Sequence, residues 1–149
     1  MSISVQADDF DIGHEISKLT EGRTDIGAIV TFTGLVRDMA GGKKITDMEL
    51  EHYPGMTEKA LTDIEAKATA RWNLQATRII HRYGKLVPGA QIVLVATASP
   101  HRADAFEAAE YIMDFLKSRA PFWKKEGASD GGRWVDARDT DTDALKRWT

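Results

Sequence analysis

The sequence predicts an α+β fold, with a mostly antiparallel sheet, three main helices and a C-terminal hairpin. Two pairs of strand-like segments carry this prediction, because a short turn signal joins the members of each pair and strands joined in this way run antiparallel. Mixed with three longer helical segments, such hairpins favour an α+β sandwich over a doubly wound parallel sheet. The pairs lie at residues 77–83 with 91–99, and at 122–126 with 133–137.

The N-terminal half of the chain contains strand-like and helical segments in alternation. Helical spacing of Ile12, Ile16 and Leu19 predicts the first helix, and an apolar run predicts a buried strand after it. The pair Gly41-Gly42 indicates a mobile loop, and a turn containing Pro54-Gly55 precedes the second helix. In chain order, we predict a strand at 2–6, a helix at 11–20, a strand at 27–35, the loop at 37–44, a strand at 45–52 and a helix at 57–72.

The C-terminal half adds the two hairpins and the third main helix. Pro88-Gly89 joins the first pair of strands, and Asp130-Gly131-Gly132 joins the second. Between the hairpins, an apolar stripe predicts a helix that begins at Arg102 and that Pro121 cannot continue. A short helix at residues 142–148 completes the predicted elements.

Length and composition restrict the function before any motif is considered. The 149 residues, 42% of them hydrophobic, predict a single domain over residues 1–149. A chain of this size buries about 70% of its unfolded surface and needs no metal or disulfide for stability. The chain has no cysteine, which excludes disulfides, thiolate metal sites and cysteine nucleophiles. No apolar stretch approaches about 18 residues, so we expect a soluble cytoplasmic protein. The net charge of -3 disfavours general nucleic-acid binding but allows a local basic pocket for a small anion.

The most informative local feature is a basic cluster at residues 116–126, with the sequence LKSRAPFWKKE. Pro121 ends the preceding helix, so Lys117 lies on its last turn while Lys124 and Lys125 lie just past the break. The chain therefore folds these cations back toward one place. For Lys117, an equally good explanation is that a cation near a helix C-terminus complements the partial negative charge there.

The start of the same helix is a second candidate for anion binding, because His101 and Arg102 follow Ser99-Pro100 there. The first amides of a helix lack internal partners and carry the positive end of its dipole, so they bind phosphate readily. The alternative is that Ser99 caps the helix, Pro100 begins it, and His101 and Arg102 are merely solvated. A helix of this length spans about 27 Å, so its two ends cannot contact one small ligand. Either the predicted boundaries are wrong or another chain contributes.

Arg37 is a third candidate, since it stands where a predicted strand enters the Gly-rich loop. Its guanidinium offers a planar fork for phosphate or carboxylate, although pairing with Asp38 is an equally good explanation. His52 and His81 lie within or at the end of predicted strands, and we interpret both as structural. The four histidines show no metal-ligand spacing, and the chain has no P-loop or GxGxxG motif. The sequence therefore predicts neither a metal nor a cofactor.

Five ordered blocks of sequence carry a family resemblance. They are GAIVTFTG at 27–34 followed by VR at 36–37, LEHYPGM at 50–56, HR at 81–82, HR at 101–102 followed by AFEA at 105–108, and APFWKKE at 120–126. Together they resemble the large, catalytic subunit of molybdopterin synthase. The resemblance extends over roughly residues 27–148, which makes it far more specific than any one short motif.

The resemblance implies an α/β hammerhead fold and a homodimer of large subunits. Each large subunit would bind a small ubiquitin-like sulfur carrier, whose C-terminal Gly-Gly bears a thiocarboxylate, to form a heterotetramer. The implied reaction is sulfur transfer, done twice, onto cyclic pyranopterin monophosphate to give molybdopterin for the molybdenum cofactor. The absence of cysteine agrees with this reaction, because the sulfur would arrive on the partner's tail.

The resemblance also implies which residues bind the substrate. By position, Arg37, His101 and Arg102 would hold the pterin phosphate, and Arg138 would be lent across the dimer. A pocket shared between two chains would also remove the distance conflict along the helix that begins at Arg102.

By the same resemblance, Lys117 would stand beside the terminal glycine of the partner's tail, while Lys124, Lys125 and Glu126 would line the pocket. Crowding by neighbouring cations, including Arg119, favours the neutral amine of a lysine. We therefore interpret Lys117 as a general acid/base group or as a nucleophile toward the partner's carbonyl. Lys124 is assigned to electrostatic stabilisation of the substrate and its intermediates.

Two other classes of function are compatible with these residues. A non-catalytic module that binds a ubiquitin-like tail or a phosphate ligand would use the basic cluster and Trp123 equally well, and would bind without turnover. A nucleotide-binding or RNA-binding α+β domain is disfavoured by the acidic net charge and by the lack of an aromatic pair on one strand.

Overall fold

The structure, a computed structural model, describes residues 2–40, 42–128, 133–135 and 139–148. Within these ranges the chain forms nine strands and four helices. In chain order they are β1 (Ser2–Gln6), α1 (Ile12–Thr20), β2 (Ala28–Leu35), β3 (Met39–Ala40), β4 (Lys43–His52), α2 (Met56–Arg71), β5 (Ala76–Arg82), β6 (Gly84–Leu86), β7 (Gln91–Ser99), α3 (Arg102–Ser118), β8 (Phe122–Ala128), β9 (Arg133–Val135) and α4 (Asp139–Lys146).

The strands form two sheets. The first has the order β1-β5-β7-β2, in which β1 and β5 run parallel and the other neighbours run antiparallel. The second is built on β4, which pairs antiparallel with β3, β6 and β8, while β9 pairs with β8. The predicted α+β class, the antiparallel pair β5–β7 and the C-terminal hairpin β8–β9 are confirmed.

The main core lies between the first sheet and the helices α2 and α3. Leu61 and Ile64 of α2 pack there with Ile79 and Val95 of the sheet and with Ile112 of α3, and all five side chains are buried. Burying an aliphatic side chain of this size contributes about 1.5–3 kcal/mol. The faces of α2 and α3 that carry Leu61, Ile64 and Ile112 are therefore the faces that hold these helices on the sheet.

A smaller core lies beside the second sheet. It contains Val36, Met48, Leu50 and Leu86, with Ile92 packed against it from β7. Because β6 leaves the end of β5 and pairs with β4, this core connects the two sheets. It lies at the C-terminal ends of β2 and β5, where Val36 precedes Arg37 and Leu50 is opposite Lys124 of β8.

Gly27 fixes the corner at which α3 begins. Its N–H donates to the Ser99 carbonyl at 3.1 Å. A Cβ atom at this position would lie 2.0 Å from the Pro100 carbonyl oxygen, a distance that no side chain tolerates. Only glycine allows the start of β2 to approach the β7–α3 connection this closely.

Three predictions of secondary structure differ from the structure. The sequence predicts a loop at residues 37–44, but Met39 pairs with Lys44 in a short hairpin. The strand β6 was not predicted, and the last helix occupies Asp139–Lys146 instead of residues 142–148. Strands of two or three residues are too short to show a periodicity in their sequence. They are stabilised by pairing with neighbouring strands, which the sequence of the segment does not reveal. No helix in the described part of the chain is long and apolar enough to cross a membrane.

Candidate functional site

One end of the first sheet brings three strands and a helix terminus together. His81 on β5 pairs with Val93 on β7, which pairs with Gly34 on β2. The helix α3 returns along β7, and the Thr97 hydroxyl donates to the Ala105 carbonyl at 2.7 Å near its start. Its last turn, which carries Lys117, therefore reaches the end of the sheet at which His81 lies.

His81 is held in a fixed orientation at this end of the sheet. Its side chain is only 8% exposed, and its ring stacks on Phe122 with the centroids 3.7 Å apart and the planes 17° apart. Nδ1 lies 2.9 Å from the Arg82 carbonyl oxygen. A carbonyl can only accept, so Nδ1 carries the proton and Nε2 is the unprotonated nitrogen of the neutral ring.

The surroundings of His81 favour its neutral form. Burial lowers the pKa of His81 to about 4, the hydrogen bond to Arg82 opposes this shift, and the charges of Lys117 and His52 lower the pKa further. A buried imidazole loses hydration when it is charged, and a nearby cation adds repulsion. The ring beside Lys117 is thus uncharged at neutral pH.

His52 extends the cluster toward the second sheet. Its ring centroid lies 4.6 Å from that of Tyr83 and 6.0 Å from that of Phe122. The Thr57 hydroxyl donates to the Tyr53 carbonyl at 2.8 Å, so its oxygen accepts from Nδ1 of His52 at 3.0 Å. Both histidines therefore use Nδ1 for a structural bond, which leaves Nε2 for other partners.

Lys124 lies on the same side of β8 as Phe122. Phe122 is opposite His52 and Lys124 is opposite Leu50, and residues two apart on a strand share one face. Leu50 belongs to the smaller core, and the Lys124 side chain is half-buried. The structure therefore brings Lys117 and Lys124 to the same end of the molecule, as predicted from Pro121.

Arg37 lies at this end as well. It lines a cleft of about 530 Å³ together with Val36, Asp38, Met39, Pro88 and Gly89. Val36 is part of the smaller core that Leu50 shares, so the cleft borders the face that carries Lys124. We name Arg37, His81, Lys117, Phe122 and Lys124 the basic site.

His101 and Arg102 lie far from the basic site. Both side chains are exposed, and α3 runs for 17 residues between them and its end. At 1.5 Å per residue, about 25 Å separates the two ends of this helix. The predicted boundaries are therefore right, and one chain does not bring His101 and Arg102 to Lys117. Ser99 is not the N-cap residue, because His101 occupies that position, but the Ser99 hydroxyl accepts a hydrogen bond from the His101 N–H at 3.3 Å. The exposure of His101 and Arg102 agrees with the alternative in which both are merely solvated.

Three predicted site residues are described in part or not at all. Lys125 and Glu126 lie on β8, opposite Glu49 and Met48, but their side chains are outside the described residues. Arg138 lies outside the described residues altogether.

His81 and Phe122 are the residues of the basic site whose part the sequence did not reveal. His81 was interpreted as structural because it ends an apolar strand, and that pattern is the same whether or not a lysine lies beside it. The signal that points to them is their place in the blocks HR at 81–82 and APFWKKE at 120–126. Among the residues that the structure describes, no group of His, Asp or Glu side chains is placed to hold a metal ion.

Comparison with known proteins places this architecture in a family. Residues 5–119 match the family model described as MoaE protein. The chain is similar to the molybdopterin synthase catalytic subunit of Ralstonia nicotianae, with 59% identity over 147 residues that cover 99% of this chain and 84% of the relative. A solved MoaE protein from Burkholderia ambifaria superposes with a TM-score of 0.84 and 53% identity, covering 99% of this chain and 97% of that one. A structure from Helicobacter pylori, described as a complex of subunits 1 and 2 of molybdopterin-converting factor, shares the fold at a TM-score of 0.75 and 19% identity, with 91% of each chain covered.

The fold and the basic site together define an α+β enzyme subunit whose candidate reactive groups are lysines. Relatives at this level of identity over almost the whole chain make the assignment specific. The chain belongs to the MoaE family of molybdopterin synthase catalytic subunits.

Proposed function

We propose that this chain catalyses the sulfur-transfer step that converts cyclic pyranopterin monophosphate to molybdopterin. The observation that carries the proposal is the convergence of Lys117, Lys124 and Arg37 at one end of the sheet in a member of this family. Cations placed together in this way bind an anionic substrate and stabilise negative charge that develops during the reaction.

The sulfur donor in this proposal is the C-terminal thiocarboxylate of a small ubiquitin-like subunit. The absence of cysteine from the chain agrees with this proposal, because the sulfur then has an external source. The H. pylori structure with this fold is described as a complex of two subunits, and we propose an assembly of the same kind here. The partner's tail would end beside Lys117, which is exposed on the last turn of α3.

The chemistry gives Lys117 two possible tasks. The thiocarboxylate sulfur bonds to a substrate carbon while that carbon's bond to an oxygen breaks and the oxygen takes up a proton and leaves, so that a thioester joins tail and substrate. The acyl carbon–sulfur bond of this thioester then breaks, the sulfur stays on the substrate as a thiolate, and water supplies the oxygen of the tail's carboxylate. In one route the Lys117 amine attacks the acyl carbon, expels the substrate thiolate and forms an amide with the tail, which water then hydrolyses to release the lysine. In the other, Lys117 accepts a proton from the water that attacks this carbon. Lys124 stabilises the charge that forms in either route.

The substrate phosphate is assigned to His101, Arg102 and Arg37, with His101 and Arg102 supplied by a second copy of the chain. The first turn of α3 has no side-chain cap, so its amides are available to an anion. About 25 Å of helix separates this turn from Lys117 in one chain, so a homodimer within the heterotetramer is needed to complete the site. Lys125, Glu126 and Arg138 are proposed to line it.

Single-turnover formation of molybdopterin tests the proposed reaction directly. The assay combines cyclic pyranopterin monophosphate, the thiocarboxylated small subunit and either wild type, Lys117→Ala, Lys124→Ala or the control Lys67→Ala, an exposed lysine on α2. We expect losses of roughly 100-fold or more for Lys117→Ala and Lys124→Ala, and no change for Lys67→Ala. No product from wild type would favour a module that binds the tail without catalysis. A wild-type rate in Lys117→Ala would remove Lys117 from the chemistry.

Mixing two inactive variants tests whether the site is shared. His101→Ala and Lys117→Ala are each expected to be inactive, but a mixed dimer has one site in which both residues are intact. Random exchange of subunits in a two-fold dimer restores about a quarter of the wild-type activity. If the mixture stays inactive after subunit exchange has been shown by mass spectrometry, His101 acts in the same chain as Lys117 or not at all.

A further inference from the structure

His81 is built into the basic site, yet the proposed reaction gives it no task. Its ring is fixed on one face by Phe122 at 3.7 Å and at Nδ1 by the Arg82 carbonyl at 2.9 Å. A phenylalanine at this position would stack on Phe122 equally well, so the stacking alone does not require an imidazole. The second nitrogen, Nε2, is left unprotonated by these contacts.

The chain path places the ring of His81 in the neighbourhood of Lys117. After the last turn of α3, the N–H groups of Arg119 and Ala120 both donate to the Phe115 carbonyl, at 2.7 and 3.2 Å. The N–H of Phe122 then donates to the Ala120 carbonyl at 2.8 Å, which closes a tight reversal. The reversal lays Phe122 on His81 only five residues after Lys117, so the helix end and the imidazole share one corner of the fold.

We propose that His81 is the positioning residue for Lys117: its unprotonated Nε2 accepts a hydrogen bond from the Lys117 amine and directs that amine toward the acyl carbon of the partner's tail. The part that this hydrogen bond plays in the reaction rests on the proposed function, but the hydrogen bond between His81 and Lys117 does not depend on it. Arg82 and Phe122 supply the rigidity, because an imidazole held on its face and at Nδ1 can direct its remaining lone pair in one direction only.

The electrostatics of the corner agree with this role. The charged or titratable groups that act on His81 are Lys117 from α3 and His52 from β4, and both oppose a positive charge on the ring. Burial is the largest of the causes that lower the pKa of His81 to about 4. His81 is therefore neutral at neutral pH. It therefore remains an acceptor and never becomes a second cation beside the lysine.

Two substitutions of His81 separate positioning from packing. His81→Gln keeps a polar atom near the place of Nε2, so an acceptor remains, whereas His81→Phe keeps the stacking on Phe122 and removes the acceptor. In the single-turnover assay, we expect His81→Phe to be slower by roughly 10- to 100-fold, as for the loss of a hydrogen bond to a charged group, and His81→Gln to stay within about 5-fold. The control is His14→Gln, an exposed histidine on α1, which should keep the wild-type rate. A packing role predicts the opposite order, with His81→Phe the better variant, and that order would overturn the proposal.

A second readout does not depend on turnover. The chain alone is treated with a small amine-acylating reagent over pH 7–11, and modification of the Lys117 peptide is followed by mass spectrometry. Loss of the acceptor makes the ammonium less stable, so the midpoint of Lys117 modification in His81→Phe should move to lower pH by about one unit, the equivalent of a 10-fold change. His81→Gln and His14→Gln should keep the wild-type midpoint.

The modification midpoint tests the His81–Lys117 contact, and the formation of molybdopterin tests the proposed function. An unchanged midpoint in His81→Phe would show that Nε2 does not bind the Lys117 amine and would end the proposal, whatever the enzyme makes. If wild type forms no molybdopterin but the midpoint moves as expected, the proposed function fails while the His81–Lys117 contact stands. Urea unfolding of each variant confirms that equal amounts of folded protein are compared.

Discussion

His81 should make the stability of this protein depend on pH in the mildly acidic range. Its pKa is about 4 in the folded chain, compared with the ordinary 6.5. Between pH 4 and pH 6.5, the imidazole is therefore protonated in the unfolded chain but neutral in the folded chain. The stability that the neutral ring contributes is complete above pH 6.5 and is lost as the pH falls toward 4. The full difference corresponds to about 3 kcal/mol at 1.36 kcal/mol per pKa unit. About 2 kcal/mol of it is lost between pH 7 and pH 5. The side chain is only 8% exposed, so solvent screens this effect little.

Urea unfolding at pH 7 and pH 5 measures this loss, because His81→Gln abolishes the titration and leaves the other groups in place. Wild type should lose about 2 kcal/mol more than His81→Gln over this interval, a shift of about 1 M in the relative urea midpoints. His14→Gln removes an exposed histidine and should follow wild type. Equal losses in wild type and His81→Gln would refute the reasoning, since they would show that the imidazole is protonated as easily in the folded chain as in the unfolded one.

Two further substitutions test the supports of the fold. Gly27→Ala places a Cβ atom 2.0 Å from the Pro100 carbonyl oxygen and should lower the free energy of unfolding by about 1–3 kcal/mol or more. The control Gly13→Ala, on α1, has room for its Cβ atom and should not lower the free energy of unfolding. Thermal unfolding of the two variants and wild type measures the difference. For Glu15, burial alone would raise the pKa, but the hydrogen bond and charge of Arg78 outweigh it and lower the pKa, so its contribution is present above pH 4.5 and is lost below it. Glu15→Gln should therefore be less stable than wild type by about 1–2 kcal/mol at pH 7, and urea unfolding at a series of pH values should show this difference shrinking as the pH falls below 4.5.

Much of the fold could be predicted because its main elements are long and strongly patterned. Leu61, Ile64 and Ala68 recur at helical spacing, and in the structure all three are buried in the face of α2 that packs on the sheet. The strand at Gly84–Leu86 could not be predicted, because three residues have no measurable period and its stability comes from β4. For Phe106 the spacing predicts the wrong environment. Its spacing puts it in the apolar stripe of α3, which predicts burial, but the side chain is 60% exposed.

The basic site was predictable in part for the same physical reason. Pro121 cannot continue the helix that precedes it, so the sequence alone predicts that the chain turns back after Lys117. The task of His81 does not, because its neutral state depends on burial and on Phe122, which tertiary folding brings from a distant segment. The local sequence predicts that His81 lies on a buried strand, but its protonation state depends on neighbours that are remote in the chain.

The length of α3 connects the fold to the assembly proposed for it. A straight helix holds its ends at a fixed distance, here about 25 Å, so the cations at its start and the lysine at its end cannot serve one small substrate within a chain. In a two-fold symmetric dimer, a contact from one copy to the other is always repeated in reverse. If the start of one α3 approaches the end of its partner's α3, the same interface therefore creates two complete sites at once. In the proposed dimer, each copy would therefore supply both an anion-binding end and a lysine end, which one chain cannot bring to the same substrate.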